Sequence, residues 1–188
     1  MNLIDITGVN LNNDNLGGSS HRLFAIEHSD VTGIVWPDAA GLQTMENNNT
    51  VLLSALNFTA AAMVEIEGTE YMTDISSEKV GTFGSSAEKH TFGYFLSKNN
   101  KKHLGFDRAV KNAKMIFFVV TNGGEIRVFG SDMFPATQES SASKNQKKPG
   151  DGEVGIAHTW ESYGPGPSLI LMGASALATV AELELAAA

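Results

Sequence analysis

The chain contains no cysteine, only five prolines and few charged residues for its length. Without cysteine, its 188 residues form no disulfide framework, zinc ribbon, iron–sulfur site or thiol nucleophile. Charged residues make up 18%, whereas apolar residues reach 42% and suffice for a core. No stretch approaches the roughly 18 consecutive apolar residues that a membrane-spanning helix needs. The first residues lack the positive and apolar regions of a signal peptide, so we expect neither secretion nor a membrane partner.

The net charge of −8 argues against a general nucleic-acid binder, which needs a cationic surface. The charge is also unevenly placed along the chain. Residues 1–88 hold twelve acidic and two basic residues, residues 89–148 hold four and eleven, and residues 149–188 hold five and none. Segments of opposite charge can attract copies of the same chain. The alternative is that folding mixes these segments on one surface.

Basic residues are densest between Lys98 and Lys114 and return at Lys147 and Lys148. This stretch is either a solvated loop and helix face, a contact for an acidic neighbour, or a phosphate site. Aromatic residues for base stacking are not interleaved with it, which disfavours the phosphate site. We predict an assembly interface formed by Lys98, Lys101, Lys102, Arg108, Lys111, Lys147 and Lys148. The loops 97–103 and 136–152 and the N-terminal arm are predicted to contribute to the same assembly surfaces.

Short alternating or continuous apolar segments predict a mainly β chain. The predicted strands are 23–26, 58–67, 90–96, 115–120, 125–130 and 154–160. Met115–Val120 is continuously apolar, which is typical of a strand buried on both faces. The Asn122-Gly123-Gly124 turn that follows predicts a hairpin with the next strand. The spacing over Leu104–Ala113 predicts one short helix.

The same patterns divide the chain into an arm, a domain and a tail. We predict an N-terminal arm over 1–22, a single β-rich domain over 23–172 and a C-terminal tail over 173–188. A long polar loop is predicted at 136–152 inside the domain, and its length favours either a functional or a disordered segment. Residues 81–86 read as a second loop from their glycine and serine content. Strands and helices do not alternate, which excludes a doubly wound nucleotide-binding sheet.

Recognisable catalytic and metal motifs are absent from the sequence. No two histidines have the spacing of a local metal pair among His21, His28, His90, His103 and His158. The chain lacks a Gly-x-Ser-x-Gly nucleophile motif, and Gly123-Gly124 is not followed by the lysine of a phosphate loop. We therefore expect no enzyme, catalytic residue, cofactor or metal. A hydrolase that uses two carboxylates brought together by folding stays open as an alternative.

Several short fragments follow one another in a familiar order. They are Leu16-Gly17-Gly18, Arg22–Ala25, Glu88–Phe92, the hairpin turn Thr121–Gly124, Lys147–Gly152 and Gly164–Pro167. Together they resemble structural proteins of tailed phages infecting Bacteroidota, of the tail-tube or head–tail ring type. The resemblance covers about residues 1–170.

This resemblance implies a β-sandwich or rolled β-barrel with one short flanking α-helix, as in phage tail-tube proteins. It implies a virion protein that assembles with itself into a ring, hexameric or higher, around passing DNA that it does not bind sequence-specifically. Other virion proteins would be its further partners, and no cofactor is implied. The alternative function is a β-sandwich carbohydrate-binding or adhesin module, with Trp36, Trp160, Tyr163 and nearby asparagines as a sugar platform. Against it, tryptophans of this kind are more often core residues.

Overall fold

The computed structural model describes residues 19–32, 49–52, 57–58, 63–69, 73–97, 99–122, 124–144 and 154–172. These ranges contain strands β1 (Ser19–Glu27), β2 (Val31–Thr32), β3 (Thr50–Leu52), β4 (Asn57–Phe58), β5 (Val64–Glu67), β6 (Asp74–Thr82), β7 (Ser85–Ser97), β8 (Lys114–Thr121), β9 (Ile126–Phe129), β10 (Ala136–Lys144), β11 (Gly155–Gly164) and β12 (Leu169–Met172). The helix α1 spans Lys101–Val110, and a short 3-10 turn occupies His28–Asp30. The predicted mainly β fold with one short helix is confirmed.

Ten of the strands form one large mixed sheet that does not close into a barrel. Its main path runs β3-β12-β9-β8-β10-β11-β7-β6, and β1 adds to β8 and carries β5. The pairs are antiparallel except β3 with β12, and β2 pairs separately with β4. The sheet bends between β8 and β10. β10 pairs with β8 only through Ala136 and Thr137, and the rest of β10 pairs with β11 alone. The result is a sandwich-like arrangement of the β1–β8 region against the β11–β7 region.

The β8–β9 hairpin forms the centre of the fold, as its apolar sequence predicts. Phe117 lies opposite Phe129 across the two strands, and Val120 lies opposite Ile126. Gly124 has a φ of 84° in the turn, a conformation that glycine adopts without strain. Both faces of β8 are buried, so the prediction for Met115–Val120 is confirmed. Alternate side chains therefore enter two different cores.

One core lies between the two halves of the sheet and is built around aromatic rings. Phe117 packs against Trp160 and Phe92, with ring centroids 4.8 and 5.2 Å apart, and Phe92 also contacts Phe129 at 5.1 Å. Each fully buried ring of this size contributes about 1.5–3 kcal/mol by leaving water. The second core lies on the other face of β8, where Ile116 and Phe118 meet Phe24, Ile26, Val51, Met63, Val128 and Leu171.

The structure corrects two predicted loops. Residues 136–144 of the predicted loop 136–152 form β10, which pairs with β11 from Thr137 to Lys144. Its pattern reads as a loop because Ala136 is its only fully buried residue. The predicted loop 81–86 is also wrong, because it lies in the hairpin of β6 and β7 and only residues 83–84 form the turn. Residues 145–153 lie outside the described residues.

The predicted helix and terminal boundaries also shift. The helix is confirmed but begins and ends three residues before the predicted Leu104–Ala113, because the Asn100 side chain caps it by accepting a 2.8 Å hydrogen bond from the His103 amide. The predicted arm 1–22 overlaps β1, which begins at Ser19. Residues 1–18 and the predicted tail 173–188 lie outside the described residues.

Candidate assembly surfaces

The predicted basic interface is partly brought together by α1. Lys101, Lys102 and Arg108 lie on the helix, Lys111 is its C-cap residue, and all four side chains are exposed. Lys98, Lys147 and Lys148 lie outside the residues whose placement is described. The helix therefore presents four of the seven predicted cations on one short element.

The inward side of α1 attaches it to the sheet. Val110 is buried in the aromatic core, and Phe106 packs beside it. Asp107 also faces inward, where its Oδ1 lies 3.5 Å from Gln138 Nε2 on β10. The helix thus covers β10 beyond Thr137, where β8 no longer pairs with that strand. Because the one acidic residue of α1 faces the sheet, all the charged side chains on the outer surface of the helix are basic.

Beneath the helix lies the buried His158, whose place in a predicted strand favours a hydrogen-bonded or exposed partner over a catalytic group. The His158 side chain is 0% exposed, and its Nδ1 accepts a 3.0 Å hydrogen bond from Gln138 Nε2. Its ring stacks on Tyr94 with centroids 5.0 Å apart. Burial lowers the pKa of His158, and the charge of Asp107, 3.6 Å from Nδ1, opposes that shift. The neutral imidazole links α1, β10 and β7, which is a role in packing.

The outer part of the β6–β7 hairpin projects from the rest of the sheet. Pairing of β7 with β11 ends at Glu88, so within the described part of the chain the pairs from Val80 with Ala87 to Thr82 with Ser85 have no third strand beside them. The side chain of Phe83 at the tip is fully exposed. Phe83 lies five positions before Glu88, a distance of about 16 Å in extended chain. We call residues 80–87 the ribbon.

Two glycines shape the ribbon tip. Gly81 has a φ of 96°, and a Cβ there would lie 2.5 Å from the Ser85 carbonyl oxygen. Gly84 has a φ of 87° in the turn itself. These positions explain why the sequence reads as a loop, although two glycines around an aromatic residue also suit a tight hairpin turn. The exposed aromatic residue was missed because composition alone does not give its exposure.

A second feature missed by the sequence is a row of charges across the outer face of four strands. Lys89 on β7 forms an ion pair with Glu161 on β11, and its cross-strand partner on β6 is Glu78. The hydrogen bond to Glu161 raises the pKa of Lys89, and the charge of Glu139 on β10 also raises it. Two carboxylates, of Glu161 and Glu139, thus act on one ammonium group, and Glu78 lies opposite it in the pairing of β6 with β7. We call Glu78, Glu139 and Glu161 the acidic row.

A small depression lies near the base of the ribbon and bears on the enzyme and sugar alternatives. The centre of a water-sized sphere can move through only about 20 Å³ of it, far below the roughly 300–1,000 Å³ of ligand pockets. His90, Ser131, Ser162 and Ser168 are among the residues that line it, and no carboxylate does. Burial lowers the pKa of His90, whose Nδ1 forms a 2.8 Å hydrogen bond with the Ser77 hydroxyl. This depression offers no pair of acids for glycoside hydrolysis.

The predicted sugar platform is wrong for Trp160, which is 0% exposed and packs against Phe117 in the core. Tyr163 is 45% exposed, and Trp36 lies outside the described residues. Within the described part of the chain, no group of three His, Asp or Glu side chains is placed to hold a metal ion. No helix in that part is long and apolar enough to cross a membrane.

Comparison with known proteins adds no identification. No protein-family model matches the chain, and neither a curated protein nor a solved structure matches it. The resemblance to phage tail-tube and head–tail ring proteins therefore stays a prediction from the sequence.

Proposed function

We propose that the chain is a non-enzymatic structural subunit that assembles with its own copies into rings or a tube. The setting is the tail or head–tail conduit of a tailed phage virion, built in the host cytoplasm. The observation that carries the proposal is the ribbon with the fully exposed Phe83 at its tip. The phage setting itself derives from the order of sequence fragments.

The ribbon is poorly explained by the stability of a single copy. A two-stranded ribbon without a third strand or a packed face is marginal in water. Phe83 gains no burial from its own chain, although an aromatic side chain contributes most when buried. Apart from the half-buried Val80 and Ala87 at its base, the ribbon consists of glycine, serine and threonine, so Phe83 is the large apolar side chain that its tip offers a neighbour. Docking on a second copy would bury the ring and stabilise the ribbon.

Other exposed apolar side chains support a contact role. Met133 and Phe134 are 67% and 43% exposed, and their segment begins at Ser131 on the small depression. Tyr163 lines the same depression. Contiguous exposed apolar groups on a small protein are typical of interaction surfaces.

The charge of the chain is compatible with a conduit for DNA. A channel that lets DNA pass must not grip phosphates, and a net charge of −8 repels them. Ring closure needs two different complementary surfaces on each subunit, because a head-to-tail contact repeats around an axis. The acidic row and the basic outer side of α1 lie on different elements, as such a contact requires.

The test is the mass of the purified chain by light scattering over a wide concentration range, with negative-stain images of each species. We expect discrete species of six or more copies, seen as rings or stacked rings. A chain that stays monomeric at every concentration, and is absent from any particle, contradicts the proposal. Glycan-array binding by a monomer would instead favour the carbohydrate-binding alternative.

A further inference from the structure

The outward side of α1 carries an excess of positive charge that its own chain does not neutralise. Lys101, Arg108 and Lys111 point outward together with Leu104 and Gly105, a group that we call the cationic face. None of its three cations forms an ion pair within the described part of the chain. Lys101 also stands in the first helical turn, where the helix dipole disfavours a cation. The stability of the helix therefore does not account for these residues.

The centre of the cationic face is shaped for a close contact. Leu104 is 46% exposed. Gly105 follows it in mid-helix, and a Cβ built there would meet no atom within 4 Å. Glycine destabilises an exposed helix by about 1 kcal/mol relative to alanine, and no contact with the described residues requires it here. The open space over Gly105, beside the exposed Leu104, can accept an aromatic side chain of a partner.

The acidic row has the complementary composition. Glu161 and Glu139 act on the single cation Lys89, and Glu78 is its cross-strand partner, so three acidic residues and one basic residue leave an excess of negative charge. Tyr163 is the cross-strand neighbour of Lys89 and is 45% exposed. On the acidic row, carboxylates therefore lie beside an exposed aromatic ring. On the cationic face, cations lie beside an exposed leucine and a glycine, which has no side chain.

The two surfaces lie on opposite sides of the sheet in one subunit. The helix α1 packs on the face of β11 and β7 that carries His158 and Tyr94. Glu161 and Lys89 lie an odd number of residues from these two on the same strands, so their side chains point from the other face. A contact between them must join two copies and be head-to-tail, which generates closed rings or open filaments.

We propose that the cationic face of one copy docks on the acidic row of the next, with Tyr163 of one copy placed over Leu104 and Gly105 of the other. This contact rests on the proposed self-assembly and specifies one interface within it. Complementary charges fix orientation and exclude wrong registers, and the apolar centre adds affinity. The contact should weaken as salt shortens the screening length from about 8 Å at 0.15 M to about 3 Å at 1 M.

A charge-swap experiment tests this contact. One variant carries Lys101→Glu and Arg108→Glu, and a second carries Glu78→Lys and Glu139→Lys. Each alone has two surfaces of the same sign, so we expect its self-association to be more than about tenfold weaker than that of the wild type. Mixing the two restores opposite signs at every contact, so the mixture should assemble with the two chains alternating. Light scattering of each variant and of the mixture gives the readout.

The control is a third variant with Glu27→Lys and Asp30→Lys, which changes as many charges at the end of β1 and should assemble like the wild type. Assembly of both swapped variants at wild-type concentrations would overturn this contact and leave the proposed function intact. A monomeric wild type would overturn both. Wild-type binding to a duplex oligonucleotide that Lys101→Glu/Arg108→Glu abolishes, with self-association unchanged, would assign the cationic face to phosphate and also overturn the contact.

Discussion

The β8–β9 and β6–β7 hairpins have the same topology but differ in polarity, in burial and in the strands that lie beside them. The β8–β9 hairpin is apolar and buried on both faces, and its rings pack against β7 and β11. The β6–β7 hairpin is longer and mostly polar. Among the described residues, no third strand lies beside the three residue pairs nearest its turn. The comparison separates residues that the fold needs from residues that only a partner can explain. Phe117 in the first hairpin and Phe83 in the second can therefore be compared directly, as one buried and one exposed phenylalanine.

The largest expected effect is on the buried member of that pair. Phe117→Ala removes a fully buried ring from the aromatic core and should lower the free energy of unfolding by about 3–5 kcal/mol. Phe83→Ala should change it by less than about 0.5 kcal/mol, because Phe83 touches no core. Urea denaturation of dilute protein measures both. A large loss for Phe83→Ala would mean that the ribbon packs on its own subunit.

A pair of glycines sharpens the same contrast. A Cβ at Gly155 would lie 2.2 Å from the Leu96 carbonyl oxygen and 2.5 Å from the Phe95 ring, so Gly155→Ala should cost about 1–3 kcal/mol. Gly105→Ala has open space and a better helix former, and should stabilise the monomer by about 0.5–1 kcal/mol. Thermal unfolding should move the two midpoints in opposite directions. Equal effects would contradict the packing described at Gly155.

The buried histidines predict how stability depends on pH. Burial lowers the pKa of His158 and of His90 below the ordinary value of 6.5. The unfolded chain then binds protons more readily than the folded one, so stability is full above about pH 6.5 and falls as the pH drops toward the folded-state pKa values. His158→Gln should reduce the loss in free energy of unfolding between about pH 7.5 and about pH 5.5. An unchanged loss would show that His158 does not contribute.

The smallest effect is expected at a buried hydroxyl. Tyr94 Oη is buried and has no well-aligned hydrogen bond among the described residues; burial raises the pKa of this hydroxyl, and the nearby Trp160 indole opposes that shift. Tyr94→Phe keeps the ring in the core and removes this poorly paired group, so stability should rise by less than about 1 kcal/mol. A loss of more than about 1 kcal/mol in urea denaturation would mean that the hydroxyl forms a hydrogen bond.

Much of the central fold could be predicted from the sequence, because burial on both faces leaves a continuous apolar run. Met115–Val120 and the turn after it identify the β8–β9 hairpin directly. β10 and the ribbon were missed because their side chains are mostly polar and exposed, so no alternation marks them. Their strand pairing comes from backbone hydrogen bonds to neighbours that only the fold supplies.

The candidate surfaces follow the same rule. The cations of α1 could be predicted, because a charged stretch on a short helix is visible in one segment. The acidic row could not, since Glu78, Lys89, Glu139 and Glu161 come from four strands. Trp160 was left between a sugar platform and the core because sequence alone does not distinguish an exposed tryptophan from a buried one, and it lies in the core.

The most direct test of the central claim, that the ribbon serves assembly and not folding, is sedimentation velocity of Phe83→Ala beside the wild type, with thermal unfolding of both. The matched control is Val154→Ala, another exposed apolar residue that lies away from the ribbon. We predict that Phe83→Ala keeps the wild-type thermal midpoint and loses the assembled species, whereas the control keeps both. Assembly of Phe83→Ala at wild-type concentrations would contradict the account.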